Sequence, residues 1–242
     1  MIYVVRYLLV VVYTIIWGLP ATLIGPFDRS GRAVCWIGRQ WVRWILATCG
    51  IWVDARGLEN VDRARPQIFM SNHQSAADIA AILHTLPREV TFRFVAKKEL
   101  GWIPFFGWAL ASVGIMVDRG RRERAVASLA RGAERIREGS NVIIFPEGTR
   151  SPSGRLGSFK SGGFHLAIAA QVPIVPVTVS GTQRITPKHS LRVESGVVKI
   201  VYGKPIATRG MTLEAREDLK RQVREAIEAG YDPVHQGRSG AA

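Results

Sequence analysis

The chain has 242 residues, 47% of them hydrophobic and 21% charged. That is enough for one domain with a full hydrophobic core, and it excludes disorder, collagen-like repeats and a polytopic membrane bundle. Cys35 and Cys49 are the two cysteines, which excludes a disulfide scaffold and a Cys-rich zinc site; a single disulfide between them is arithmetically open, and a reduced, cytoplasm-facing chain is the expected state. Lys and Arg number 33 against 19 Asp and Glu, a formal net charge of +14, with most of the bases Arg. Such an excess suits nucleic acid, an anionic membrane surface or phosphorylated substrates, and composition does not choose among them.

Residues 7–24 (YLLVVVYTIIWGLPATLI) form an uncharged run after Arg6. Its length is near the lower limit for a spanning helix, and Gly18-Leu19-Pro20 predicts a kink or break. A lone basic residue ahead of the run and no A-x-A site after it argue against a cleaved leader. Arg29, Arg32, Arg39 and Arg43 follow the run, so positive charge flanks both sides, which favours a hairpin or in-plane anchor over a simple crossing. In 32–52, Trp36, Ile37, Trp41, Trp44, Ile45 and Thr48 recur at helical spacing, with Arg39 and Arg43 on another face. Three Trp beside two Arg fit a helix at headgroup level, and the same pattern fits an amphipathic helix packed on its own domain.

From residue 51 onward, β-type and helical patterns alternate. Strands are predicted at 51–56, 67–71, 91–96, 114–117, 141–145, 174–179 and 197–202, and helices at 76–85, 102–111, 122–138, 162–170 and 213–229. The expected fold class is α/β, a central mixed, mostly parallel sheet of about seven strands covered by helices, with an N-terminal membrane-associated helical segment. Residues 1–50 read as the anchor, 51–230 as one catalytic-sized domain, and 231–242 as a loose tail.

Chemistry is expected at the strand ends. The run 67–71 leads into Asn72-His73-Gln74-Ser75-Ala76-Ala77-Asp78. In one continuous helix, five residues turn two side chains about 140° apart. His73 and Asp78 therefore meet only if His73 lies in the loop before the helix and Asp78 in its first turn. Ser75 suits the helix N-cap with Asp78 three residues on. On spacing alone two readings stand: Ser75 and Asp78 merely cap the helix, or Asp78 also orients His73 as a general base. The strand at 141–145 leads into Pro146-Glu147-Gly148-Thr149-Arg150-Ser151, where Arg150 can grip a phosphate or carboxylate with two prongs, or the segment is a solvated turn. Asp118-Arg119 follows a third strand. Phe159-Lys160-Ser161-Gly162 opens a helix, whose free N–H groups favour anions. No G-x-S-x-G elbow occurs, the cysteines sit in the apolar amino segment, and no metal-ligand spacing is present. His165 reads as a helix residue near the site, and His84 as a helix C-terminal residue.

These blocks (NHQSAAD at 72–78, GIMVDR at 114–119, FPEGTRS at 145–151 and VPIVPV at 172–177) come in the order and rough spacing of four motifs of the glycerolipid acyltransferases. Over roughly residues 50–205 the chain resembles the 1-acylglycerol-3-phosphate (lysophosphatidate) acyltransferase family. The resemblance implies His73 as the base that deprotonates the sn-2 hydroxyl of a lyso-phospholipid acceptor, and Asp78 as its orienting partner. It implies Glu147, Gly148, Thr149 and Arg150 in acceptor binding, with Arg119, Lys97 and Lys160 supporting the phosphate. The implied donor is acyl-CoA or acyl-carrier protein, the product phosphatidic acid, and no cofactor or metal is called for. The partners expected with it are the acceptor, the donor and an anionic membrane surface, with no nucleic acid; the expected place is the inner (cytoplasmic) membrane, monotopic or peripheral, with the site facing the cytoplasm. Two other readings are an acyltransferase for a different lyso-lipid, such as one with an amino-acid head group, and a non-catalytic basic protein that binds membrane or nucleic acid.

Overall fold

The computed structural model describes residues 2–28, 30–117, 122–151, 153–187, 190 and 192–232, and for residues 97, 98, 112, 113, 117 and 122–127 it describes the backbone alone. Seven strands, β1 (Ile51–Arg56), β2 (Ile68–Ser71), β3 (Phe92–Lys97), β4 (Ile115–Val117), β5 (Asn141–Ile144), β6 (Ile174–Ser180) and β7 (Gly196–Tyr202), form one sheet in the order β1-β7-β6-β2-β5-β3-β4. Every neighbouring pair is parallel except β6 and β7. All seven predicted strands are present, with ends shifted by a residue or so.

The central strands read as short apolar runs because both faces are covered, as parallel sheets require. Alternate residues go to opposite cores. Phe69, Ile143, Val175, Val177 and Val179 pack on one side. Ile68, Met70, Val142, Ile144 and Ile174 pack on the other, beneath α5 (Arg122–Arg137), α6 (Gly162–Ala170) and α8 (Arg216–Ala229). On the first side lie α2 (Arg32–Cys49) and α3 (Ala77–Thr85), with α1 (Ile2–Ile24) and α4 (Phe106–Val113) beyond. A short helix, α7 (Thr182–Ile185), follows β6 directly and was not foreseen.

One reading of the amino end changes. Helix α1 runs unbroken through Pro20. Proline removes one N–H and here falls in the last turns, so the helix loses a single backbone bond, the one to the Ile16 carbonyl. One face of helix α2 packs on its own domain, the second of its two readings: Val42, Ile45, Leu46 and Cys49 share a core with Phe69 and Ala81. Its Arg39 donates to the carbonyls of Pro87, Arg88 and Val90 instead of pointing at a headgroup. Trp36 and Trp44 keep the outer face, and both stack edge-on against Trp17 of α1. Both cysteines are free, buried thiols. Helix α1 is long and apolar enough to cross a membrane by length and composition, and little of it is buried.

At the carboxyl end the chain does not loosen at Tyr231. Its hydroxyl donates to the Gly154 carbonyl and receives the Gln74 amide at 2.9 Å, while Asp232 meets Lys199 at 3.4 Å. Residues 233–242 lie outside the described part.

The end of β2 is tied to β6 by one side chain. Asn72 is 1% exposed; its Nδ2 donates to the Val179 carbonyl at 2.8 Å and its Oδ1 accepts the Val179 N–H at 2.7 Å. The amide thus continues the β2–β6 ladder for one more step after the backbone has turned away. Asn72→Leu strips both partners from a buried peptide group, so it should cost about 2–4 kcal/mol, read as a lower urea midpoint with an unchanged slope.

Candidate active site

His73 leaves β2 in the loop and Asp78 sits in the first turn of α3, the one arrangement that lets residues five apart meet. His73 Nδ1 lies 2.8 Å from Asp78 Oδ2. The same oxygen accepts the backbone N–H of Gln74 at 2.7 Å and of Ser75 at 2.8 Å, and Oδ1 accepts the Thr182 hydroxyl. Backbone amides only donate, so the fully buried Asp78 acts as an acceptor and His73 carries its proton on Nδ1. Nε2 is left with its lone pair and has no hydrogen-bond partner among the described residues. Both contacts are present, the cap and the His73–Asp78 pair. Ser75 and Asp78 share the helix start, with the Ala77 N–H on Ser75 Oγ at 3.1 Å, and Asp78 holds His73 as well. Ser75 Oγ donates into the Thr186 carbonyl at 2.9 Å and is buried, so it is no exposed nucleophile.

The loop after β5 closes over this pair. Phe145 stacks on the His73 ring at 4.0 Å between centroids, nearly parallel at 20°. The Ser151 N–H donates to the His73 carbonyl at 2.7 Å. Gly148 has φ of +71°, a left-handed turn that glycine takes without strain, and its N–H closes the turn onto the Phe145 carbonyl at 3.0 Å. Glu147, expected among the acceptor-binding residues, faces inward instead. It is 5% exposed; Oε1 accepts the His73 N–H at 2.7 Å and Oε2 accepts the Gly157 N–H at 2.8 Å. Burial pushes its pKa up, opposed by those two amides. A carboxylate would repel a phosphate; here it staples the catalytic loop to the loop at 157.

His73, Phe145, Gly148, Thr149 and Arg150 open onto one cavity of about 340 Å³, within the range of small-molecule sites. Its remaining wall is apolar and comes from four helices and β3, with Trp17, Ile37, Trp41, Leu83, Phe94 and Leu110 among the lining residues. The cavity therefore has a polar mouth at the strand ends and a hydrophobic interior against α1.

The other predicted residues divide. Lys97 ends β3, beside the strand that carries Phe145, but its side chain lies outside the described part. Arg119 lies outside the described residues altogether. Lys160 does not line the cavity: Phe159 is buried in the core beneath α6, and the next side chain is exposed while its N–H bonds the Pro146 carbonyl at 2.8 Å. His165 meets Arg216 of α8 at 3.0 Å, away from the cavity lining. Thr182, which buttresses Asp78, was missed. It follows Ser180-Gly181 at the end of β6, where Gly181 has φ of +96°, the same strand-end signature that marked the other loops.

An acyltransferase family model matches residues 53–180. The chain is 35% identical over 218 residues to the 1-acyl-sn-glycerol-3-phosphate acyltransferase of Saccharomyces cerevisiae, spanning 82% of this chain and 71% of that one. It is 31% identical over 242 residues to the protein of the same name from Pseudomonas aeruginosa, covering 95% and 91%. The chain belongs to the 1-acylglycerol-3-phosphate acyltransferase family. Among solved structures, the 1-acyl-sn-glycerophosphate acyltransferase PlsC of Thermotoga maritima matches with a TM-score of 0.79 at 29% identity, over 95% of this chain and 92% of that one. The protein is thus an acyltransferase, with a mostly parallel mixed sheet and an N-terminal apolar helix like its relative.

Glu147→Gln separates charge from geometry. Removing a buried charge relieves desolvation, but the amide presents N–H₂ to one of two backbone donors, leaving it unsatisfied. The geometric loss should dominate. We expect stability to fall by about 1–3 kcal/mol and kcat by roughly tenfold or more as His73 loses its backbone anchor, read by thermal melts and steady-state acyl transfer.

Proposed function

We propose that the enzyme transfers an acyl group from acyl-CoA or acyl-carrier protein to the sn-2 hydroxyl of 1-acylglycerol-3-phosphate, giving phosphatidic acid. The observation that carries the reading is the accepting Nε2 of His73 at the mouth of an apolar cavity, with Thr149 and Arg150 on the same rim. A lipid acyl chain suits the interior and a phosphate suits the guanidinium. The shared name of the yeast and Pseudomonas relatives supports the same acceptor.

In this mechanism Nε2 takes the hydroxyl proton as the sn-2 oxygen attacks the thioester carbonyl. Asp78, already charged and fully bonded, balances the imidazolium without taking the proton. The carbon–sulfur bond then breaks, and the imidazolium returns its proton to the departing thiolate. No protein atom becomes acylated, and Ser75 is committed elsewhere. The Phe145 ring and the Glu147 staple hold the imidazole in one pose, which makes proximity a large share of the rate.

The membrane supplies the acceptor. Helix α1 exposes Leu8, Val12, Ile15, Leu19 and Leu23, and its Trp17, Gly18 and Ala21 line the cavity. A helix lying in one leaflet with that flank against the domain would let a lyso-lipid enter the cavity without crossing water. We place the protein monotopically on the inner membrane with its site towards the cytoplasm, where thioester donors are made.

Two substitutions test the reading. His73→Ala should fold normally, bind lysophosphatidate, and lose roughly 10²–10⁴ in kcat; near-normal turnover in a folded variant would remove His73 as the base. Arg150→Ala should raise the acceptor KM by roughly tenfold or more, the worth of a charge-assisted hydrogen bond, with the donor KM unchanged. Unaltered acceptor kinetics would take Arg150 out of head-group binding.

A further inference from the structure

A second large concavity lies at the opposite end of the sheet from His73. Its volume is about 1360 Å³. Thr91 and Asn141, at the amino starts of β3 and β5, line it, whereas the catalytic loops leave the carboxyl ends of the same parallel strands. Six arginines surround it: Arg32, Arg39 and Arg43 from α2, Arg63 and Arg65 from the loop before β2, and Arg88 from the turn before β3. Glu89 is the one carboxylate among the lining residues, and nearby Asp62 is spent on the Ala64 and Arg65 amides of its own turn.

The arginines divide into two kinds. Arg39 is part of the scaffold: it donates to the carbonyls of Pro87, Arg88 and Val90 and lies over the Phe92 ring at 5.4 Å, which pins the turn bearing Arg88 against α2. The other five are exposed, and none is ion-paired with a carboxylate among the described residues. Several like charges around one hollow repel one another, and a concave low-dielectric wall focuses their field outward. Among the described lining residues only the Glu89 carboxylate opposes that repulsion, and one carboxylate does not balance six guanidinium groups. A bound anion relieves it, and guanidinium forks match phosphate oxygens in particular.

We propose that this cavity is a second phosphate-binding site, separate from the catalytic one, which takes a phosphate group carried by a lipid head or by a soluble molecule. Both sources can reach it. The cavity opens beside the turn that follows α1, where Ser30 and Trp36 line it and Phe27 is 85% exposed, so a bilayer that accepts α1 also presents head groups here. It is also wide enough for a free polyphosphate.

The test uses the full chain in neutral detergent at low ionic strength, with titration calorimetry as the readout. The probes are dihexanoyl phosphatidate, kept below its micelle concentration, and inorganic pyrophosphate. Arg43→Glu/Arg63→Glu/Arg65→Glu is compared with the wild type, and the milder Arg43→Gln/Arg63→Gln/Arg65→Gln guards against a folding defect. The wild type should bind phosphatidate at two places, and both triple variants should weaken one of them by at least about tenfold while keeping wild-type acyl transfer in neutral micelles. Loss of pyrophosphate binding as well assigns the site to phosphate in general; loss of phosphatidate alone assigns it to lipid heads. Wild-type stoichiometry and affinity for both probes in a folded Gln variant would overturn the proposal.

Discussion

The buried charge of Asp78 is the constraint around which the catalytic end is arranged. A carboxylate with no solvent exposure is costly unless its lone pairs are filled. Here they are filled by the Gln74 and Ser75 amides, the His73 imidazole and the Thr182 hydroxyl. The carboxylate itself stands in the first turn of α3, three of its partners come from the turn after β2, and the fourth comes from the short helix after β6. Satisfying one carboxylate therefore fixes three elements at once. It also fixes the imidazole tautomer, because an oxygen that already accepts two amides leaves Nδ1 nothing to do but donate.

Glu147 repeats the device from the neighbouring loop. Its two oxygens bind backbone amides that would otherwise be buried without partners, and one of them belongs to His73 itself. His73 is thus held by side chain through Asp78, by backbone through Glu147 and Ser151, and by ring face through Phe145. Such over-determination costs stability in desolvated carboxylates and returns it as a pose that needs no reorganisation during reaction.

Much of this could be read before any coordinates. The seven strands are β-type runs of three to seven residues, and the central β2, β5 and β6 are the apolar ones that a doubly covered parallel sheet demands, so period and length agreed. The His73–Asp78 contact followed from the angular step of a helix and a capping signature. Glu147 was harder. A charged residue in a Gly-containing strand-end loop looks like a ligand contact, and only the positions of the His73 and Gly157 amides turn it inward. Thr182 gave a signal in the Gly181 turn, but a hydroxyl after a strand resembles many loops. Pro20 does not break α1, because in the last turns of a long helix the loss of one N–H leaves the other backbone bonds in place. Tyr231 misled because a chain end with little hydrophobic patterning can still be anchored by one hydroxyl that finds two buried-loop partners.

The net charge of +14 gains a location from the fold. Among the described side chains, those lining the cavity at His73 are mostly apolar, with Arg150 at the rim. The larger concentration stands at the far end of the strands, next to the turn that returns from α1. The apolar cavity and the arginine-rich one are thereby kept apart by the length of the sheet, while α2 contributes to both, with Ile37 and Trp41 on one side and Arg39 and Arg43 on the other. One face of that helix completes the apolar wall of the first cavity and another carries arginines to the second. Its Trp36, Trp41, Arg32, Arg39 and Arg43 line the two cavities, and Trp44 packs edge-on against Tyr13 and Trp17 of α1.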